Sequence, residues 1–195
     1  MDRERFQKAI AAFDAANAED PHTEMVDGVA RPRELVHAER LSAWVSRLEP
    51  NASEALLLAA RCQHIRRWQI PRGSYPTGRV GYLQWRTQLA RFHADTAARV
   101  LEELGFEREL IADVRRINLK QNLRSNPDTQ TIEDALCLEF LEFEFDDFSR
   151  KYPADKVLEI VRKTWQKMSE RGHELALKLP FSADSLALVQ RALKA

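Results

Sequence analysis

Ser53-Glu54-Ala55-Leu56-Leu57-Leu58-Ala59-Ala60-Arg61-Cys62-Gln63-His64-Ile65-Arg66-Arg67-Trp68 is the stretch that decides the fold. Its first half is apolar on every side, and a helix apolar all round belongs at the centre of a bundle. The reading predicts a buried central helix over 52–68, capped by Asn51 or Ser53, with Glu54 in its first turn. Its second half gathers Gln63, His64 and several arginines at the helix end. Unpaired polar groups in a core cost several kcal/mol, on the order of 2–7 each, so this end is expected to open onto a polar pocket.

Outward from this helix, helical spacing recurs. Phe6, Ile10 and Phe13 mark a helix over 3–17, and Leu35, Leu41, Val45 and Leu48 mark another that closes at Pro50. Residues 18–32 contain Pro21, Asp27-Gly28 and Pro32 and read as a loop. Residues 69–80 read as a second loop, and loops of this length often carry function. Further helices are expected over 81–104, over 107–118, from a cap at Thr129 or Thr131 through Phe148, from Pro153 to about Leu179, and after Ser182. Strand alternation is nearly absent, and no repeat of 20–50 residues is visible. The expectation is an all-α, single-domain bundle of about seven to nine helices. Residues 1–50 supply N-terminal helices and a loop, 51–150 the helices bearing the site, and 151–195 the C-terminal helices.

The 195 residues include 44% hydrophobic and 31% charged side chains, enough for a sizeable core. Thirty basic residues balance thirty acidic ones. A net charge of zero gives no global pull toward nucleic acid or anionic membrane, so a basic site must be local. Cys62 and Cys137 sit in helical patterns and read as free buried thiols. The chain starts in a charged amphipathic pattern and has no run of 18 apolar residues. A cytoplasmic protein with no membrane partner is expected.

Three constellations bear chemistry. The first is Gln63, His64, Arg66 and Arg67, with His64 as metal ligand or acid–base group; the plainer alternative is a core histidine bonded to a carbonyl. The second is the loop and helix start carrying Arg72, Tyr75, Arg79, Tyr82, Trp85 and Arg86. Guanidinium groups grip phosphate or carboxylate bidentately, and ring faces stack on planar groups; the alternative is a surface loop paired with acids. The third joins His93 to Glu133 and Asp134. With His37 and His64 these could hold a divalent metal (Fe, Mn or Zn), as bundles do with ligands from facing helices. Glu139, Glu142, Glu144, Asp146 and Asp147 read as a solvated face, and Trp165, Lys167 and Met168 as core or interface. Zincin, EF-hand, P-loop, dinucleotide-glycine and nucleophile-elbow motifs are absent.

Arg61–Trp68, Pro71-Arg72, Tyr75-Pro76, Gly81-Tyr82, Trp85-Arg86, Ile132–Glu142 and Thr164–Ser169 resemble the domain of unknown function 4202 family over nearly the whole chain. That resemblance implies a cytosolic helical protein without an agreed activity. In order and interval, His37, His64 and Asp134 are also similar to HD-domain metalloproteins, although Ile65 stands where the aspartate of the His–Asp pair belongs. This second resemblance implies an HD-like fold and a metal held by His37, His64 and Asp134, with His93 replacing the missing ligand.

The expected activity is that of a small-molecule enzyme on a phosphorylated or anionic, nucleotide-like substrate. His64, Asp134 and Glu133 would be catalytic, and the substrate would lie against Gln63, Arg66, Arg67, Arg72, Tyr75, Arg79, Tyr82, Trp85 and Arg86. Metal-dependent phosphate-ester hydrolysis leads, followed by HD-type oxygenation. The rival class is a non-catalytic module binding RNA or protein through the arginine–aromatic loop. Self-association stays open.

Overall fold

A computed structural model describes residues 1–194. The described residues form ten α-helices and one two-stranded hairpin. In chain order these are α1 (Arg3–Ala18), β1 (Thr23–Val26), β2 (Val29–Pro32), α2 (Arg33–Leu48), α3 (Glu54–Cys62), α4 (Gly78–Glu103), α5 (Arg108–Asn118), α6 (Pro127–Glu139), α7 (Phe145–Lys151), α8 (Ala154–Trp165), α9 (Glu170–Ala176) and α10 (Ala183–Leu193). The mostly helical architecture agrees with the sequence expectation.

The apolar stretch forms the centre of the bundle. Ser53 caps α3, its side chain accepting from the Leu56 amide at 3.0 Å. Leu56, Leu58, Ala59 and Ala60 are fully buried. Around them α1, α2, α5 and α6 pack against α3. Phe13 from α1, Val45 from α2, Val114 from α5 and Leu138 from α6 complete one continuous core. Each such side chain contributes about 1.5–3 kcal/mol on leaving water, so this face holds the polar end of α3 in place.

Several boundaries differ from the sequence reading. Residues 23–32 form a hairpin and not a loop, with Thr23 opposite Pro32 and Val26 opposite Val29. Asp27 and Gly28 both take positive φ, at 50° and 80°, as a tight hairpin turn requires. The central helix stops at Cys62. Arg66 is left-handed, with φ 52°, and its amide donates to the buried Asn17 Oδ1 at 3.2 Å. The helix therefore ends six residues short of Trp68, where the sequence reading placed its end.

The following loop contains two short 3-10 turns, Arg67–Gln69 and Arg72–Ser74. It is pinned by Trp85, whose indole donates to the Ile70 carbonyl at 2.9 Å. Gly81 is required there, because a Cβ would stand 1.9 Å from the Pro76 carbonyl oxygen. Asn126 caps α6, with Pro127 in its first turn, so the helix starts earlier than the expected threonine caps. It continues through a π-helical turn, Phe140–Glu144, into α7. Residues 153–179 form two helices, α8 and α9, and not one.

Candidate functional site

The polar end of α3 opens into a cavity of about 840 Å³. Gln63, His64 and Arg67 enter from that end, and Tyr82, Arg86 and His93 from α4. Asn118 ends α5, and Lys120 and Arg124 follow it. Glu133 and Glu139 come from α6, Glu144 from the π turn, and Lys163 and Lys167 from α8 and the residues after it.

His37, His64 and His93 form a row. The ring centroids of His37 and His64 are 6.3 Å apart, and those of His64 and His93 are 5.9 Å apart. His93 is buried, and its Nδ1 lies 2.8 Å from the Ile65 carbonyl. A carbonyl only accepts, so Nδ1 carries the hydrogen and Nε2 presents a lone pair. Among the described residues Nε2 has no hydrogen-bond partner. Burial lowers His93 to about 3, against the opposing bond to Ile65, and the charges of Arg67 and Arg86 lower it further. Burial, then Arg67, likewise hold His64 well below its ordinary value. Both rings are therefore neutral at pH 7. The buried Gln63 Oε1 and Asn118 Oδ1 also lack partners.

Opposite this row stands a band of charge. Glu133 is buried between Lys120 and Lys167, the latter at 3.4 Å. Burial alone would raise this carboxyl, but the two ammonium groups outweigh it and hold Glu133 low. Arg67 Nε lies 3.9 Å from Glu34 Oε1, with its guanidinium over the Trp85 ring at 5.2 Å. Arg86 and Arg124 have no ion pair among the described residues. Cys62 and Cys137 are buried thiols pushed up to about 12, so neither is a nucleophile.

The sequence-predicted residues divide. Gln63, His64, Arg67, Tyr82, Arg86, His93 and Glu133 line the cavity together. Asp134 faces elsewhere: it accepts from the Ser169 amide at 2.8 Å, the Ser169 hydroxyl at 2.5 Å and Gln130 at 3.0 Å. Its carboxylate fixes the start of α9, where Ser169 is the cap, so these bonds occupy the oxygens that the sequence reading assigned to a metal or to catalysis. Arg72 donates to the Tyr75 and Pro76 carbonyls at 3.0 and 2.9 Å, which stiffens the loop and occupies its fork. Arg66 pairs with Glu19 at 2.6 Å. Tyr75 and Arg79 are outside the cavity lining, and Trp85 supports the loop from behind.

Three acids were missed. Glu139 is buried and sits 2.6 Å from His37 Nδ1, and Glu144 lies 3.8 Å from the same nitrogen. Burial lowers His37, but the bond to Glu139 and the charges of Glu139, Glu144 and Glu34 outweigh it and raise the ring to about 9. Glu34, one turn before His37 on α2, is raised to about 7, mainly by burial. The Glu34-Leu35-Val36-His37 spacing, which places acid and imidazole on one helix face, was the available signal.

One family model, described as a domain of unknown function (DUF4202), matches residues 7–189. No curated protein and no solved structure matches. Among the described residues no helix is long and apolar enough to cross a membrane.

Proposed function

The chain belongs to the domain of unknown function 4202 family, and we propose that it is a small-molecule enzyme that takes a phosphorylated or otherwise anionic substrate into the cavity at the end of α3. The observation carrying this reading is the charge of the lining. Arg67, Arg86, Lys120, Arg124, Lys163 and Lys167 face Glu133, Glu139 and Glu144, six positive groups against three negative, a surplus of three. A volume of about 840 Å³ suits a metabolite and lies within the range of roughly 300–1,000 Å³ typical of small-molecule sites.

The side chains divide the work. Among the described residues Arg86 and Arg124 have no carboxylate partner, and they grip phosphoryl oxygens. Glu133 holds Lys120 and Lys167 at the wall, where their remaining hydrogens reach the anion. Tyr82 and Phe140 offer ring faces to a planar group. The lone pair of His93 Nε2 accepts from a water or a substrate hydroxyl. Binding an anion offsets the cationic field of Arg67 and Arg86, so His93 becomes more basic once substrate is seated. Phosphate-ester hydrolysis is the reaction class that uses all of these groups.

A thermal-shift panel tests the reading, run with a chelator and containing inorganic phosphate, pyrophosphate, nucleoside mono- and diphosphates and the uncharged nucleosides. A ligand at about 100 times its Kd adds about 2.7 kcal/mol, or about 5–10 °C for a chain of this size. A phosphorylated compound is expected to give such a rise and its uncharged counterpart none. Equal effects from the charged and uncharged members, or none from either, would overturn the proposal.

A further inference from the structure

We propose that His37, Glu139 and Glu144 form a divalent metal site in the wall of the cavity, with imidazole and carboxylate ligands suited to Mn, Fe or Zn. The nitrogen of His37 and one oxygen of each carboxylate all lie within 4.8 Å of one another. Ligands about 2.0–2.2 Å from one metal stand about 2.8–3.6 Å apart, from octahedral to tetrahedral geometry. The present separations from His37 Nδ1, 2.6 Å to Glu139 and 3.8 Å to Glu144, bracket that spacing. Seating an ion would release the proton held between His37 Nδ1 and Glu139 and draw the three groups together.

The backbone builds this arrangement by an uncommon means. Glu139 ends α6 and Glu144 ends the π turn. In an α-helix a residue five positions on is rotated by roughly 140° from the first. The two carboxylates would then face different ways. The wider i→i+5 pairing of a π turn brings the residue five positions on back toward the face of the first, so both carboxylates meet His37 on α2. A water-sized cleft of about 10 Å³ is lined by His37, His64 and Glu139. Buried Glu34, on the same face of α2 as His37, has an Oε2 without a hydrogen-bond partner, 3.9 Å from His64 Nδ1. An ordinary His37–Glu139 ion pair explains neither the cleft nor the π turn.

Glu139 and His64 line both the cleft and the large cavity, and Glu144 lines the cavity. A cation there would therefore have open coordination positions toward the anion pocket, where it could act as a Lewis acid. The site does not depend on the anion reading, because its ligands assemble without a substrate.

The test uses Mn²⁺ alone, titrated into the full chain without phosphorylated compounds and followed by loss of the free-ion electron paramagnetic resonance signal. About one bound equivalent is expected. Glu144→Gln, at a half-exposed position that leaves the helices intact by circular dichroism, weakens binding at least roughly tenfold. His37→Gln and Glu139→Gln do the same. Absence of binding at about 1 mM Mn²⁺, or unchanged affinity in Glu144→Gln, would overturn the site. The phosphate panel contains chelator and the titration contains no phosphate, so each proposal fails by itself.

Discussion

Arg86→Glu is expected to weaken pyrophosphate binding by about 100-fold or more, while Arg79→Glu leaves it unchanged. Arg86 lines the cavity without an ion pair among the described residues, and it is exposed, so its replacement costs the fold little. A charge-assisted hydrogen bond contributes about 1.5–3 kcal/mol. Reversal removes that bond and adds repulsion, so a loss of about 3 kcal/mol, or about 100-fold, follows. Arg79 has the same charge, lies seven residues earlier and stays outside the lining. The comparison, made by isothermal titration, separates a cavity from a generally basic loop. Equal losses in both variants would move the site to the loop.

Stability should fall in acid through His93, and His93→Asn should remove a large part of that fall. The ring is held at about 3 in the folded chain, chiefly by burial, and returns to about 6.5 when unfolded. A folded value below the unfolded one favours the folded state above pH 6.5 and loses that advantage as pH falls toward 3. At pH 5 the difference is about 1.5 pH units, or about 2 kcal/mol at 1.36 kcal/mol per unit. The asparagine amide can still donate to Ile65 but does not titrate. Urea unfolding at pH 7 and pH 5 should give a difference between the two pH values smaller by about 2 kcal/mol in the variant than in the wild type. Parallel losses would mean that His93 is not buried as a neutral ring. His37, raised to about 9, acts in the opposite sense: its contribution is present below 6.5 and is lost as pH rises through 9.

The helical plan was legible because its signals are local. Alanine and leucine on every side of residues 55–60 require a buried helix, and the arginines and histidine after them require a polar outlet. The meeting of His64 and His93 followed from the same economy, since buried polar groups cluster to satisfy one another. The hairpin at 23–32 was hidden by strands of only four residues each, although Asp27-Gly28 is its turn signal.

Four site features were beyond local reading. Asp134 bonds to Ser169, 35 positions away, and no spacing rule announces a capping partner at that distance. The guanidinium of Arg72 is taken by carbonyls of its own loop, which composition cannot distinguish from a free fork. Glu139 and Glu144 read as part of one solvated acidic face, and the α-helical period gives no signal that gathers these two on a buried imidazole. Only the π turn brings them to His37. Lys120, Arg124, Lys163 and Lys167 lie far from Arg86 in sequence and acquire meaning when α5, α6 and α8 close on one cavity.

The anion site in the cavity is tested most directly by a crystal structure grown with saturating pyrophosphate. The expected density lies in the cavity, with phosphoryl oxygens about 2.7–2.9 Å from the nitrogens of Arg86 and at least one of Arg67, Lys120 or Arg124. An empty cavity at a concentration that saturates binding in solution, or pyrophosphate bound to the Arg72–Arg79 loop, would contradict it.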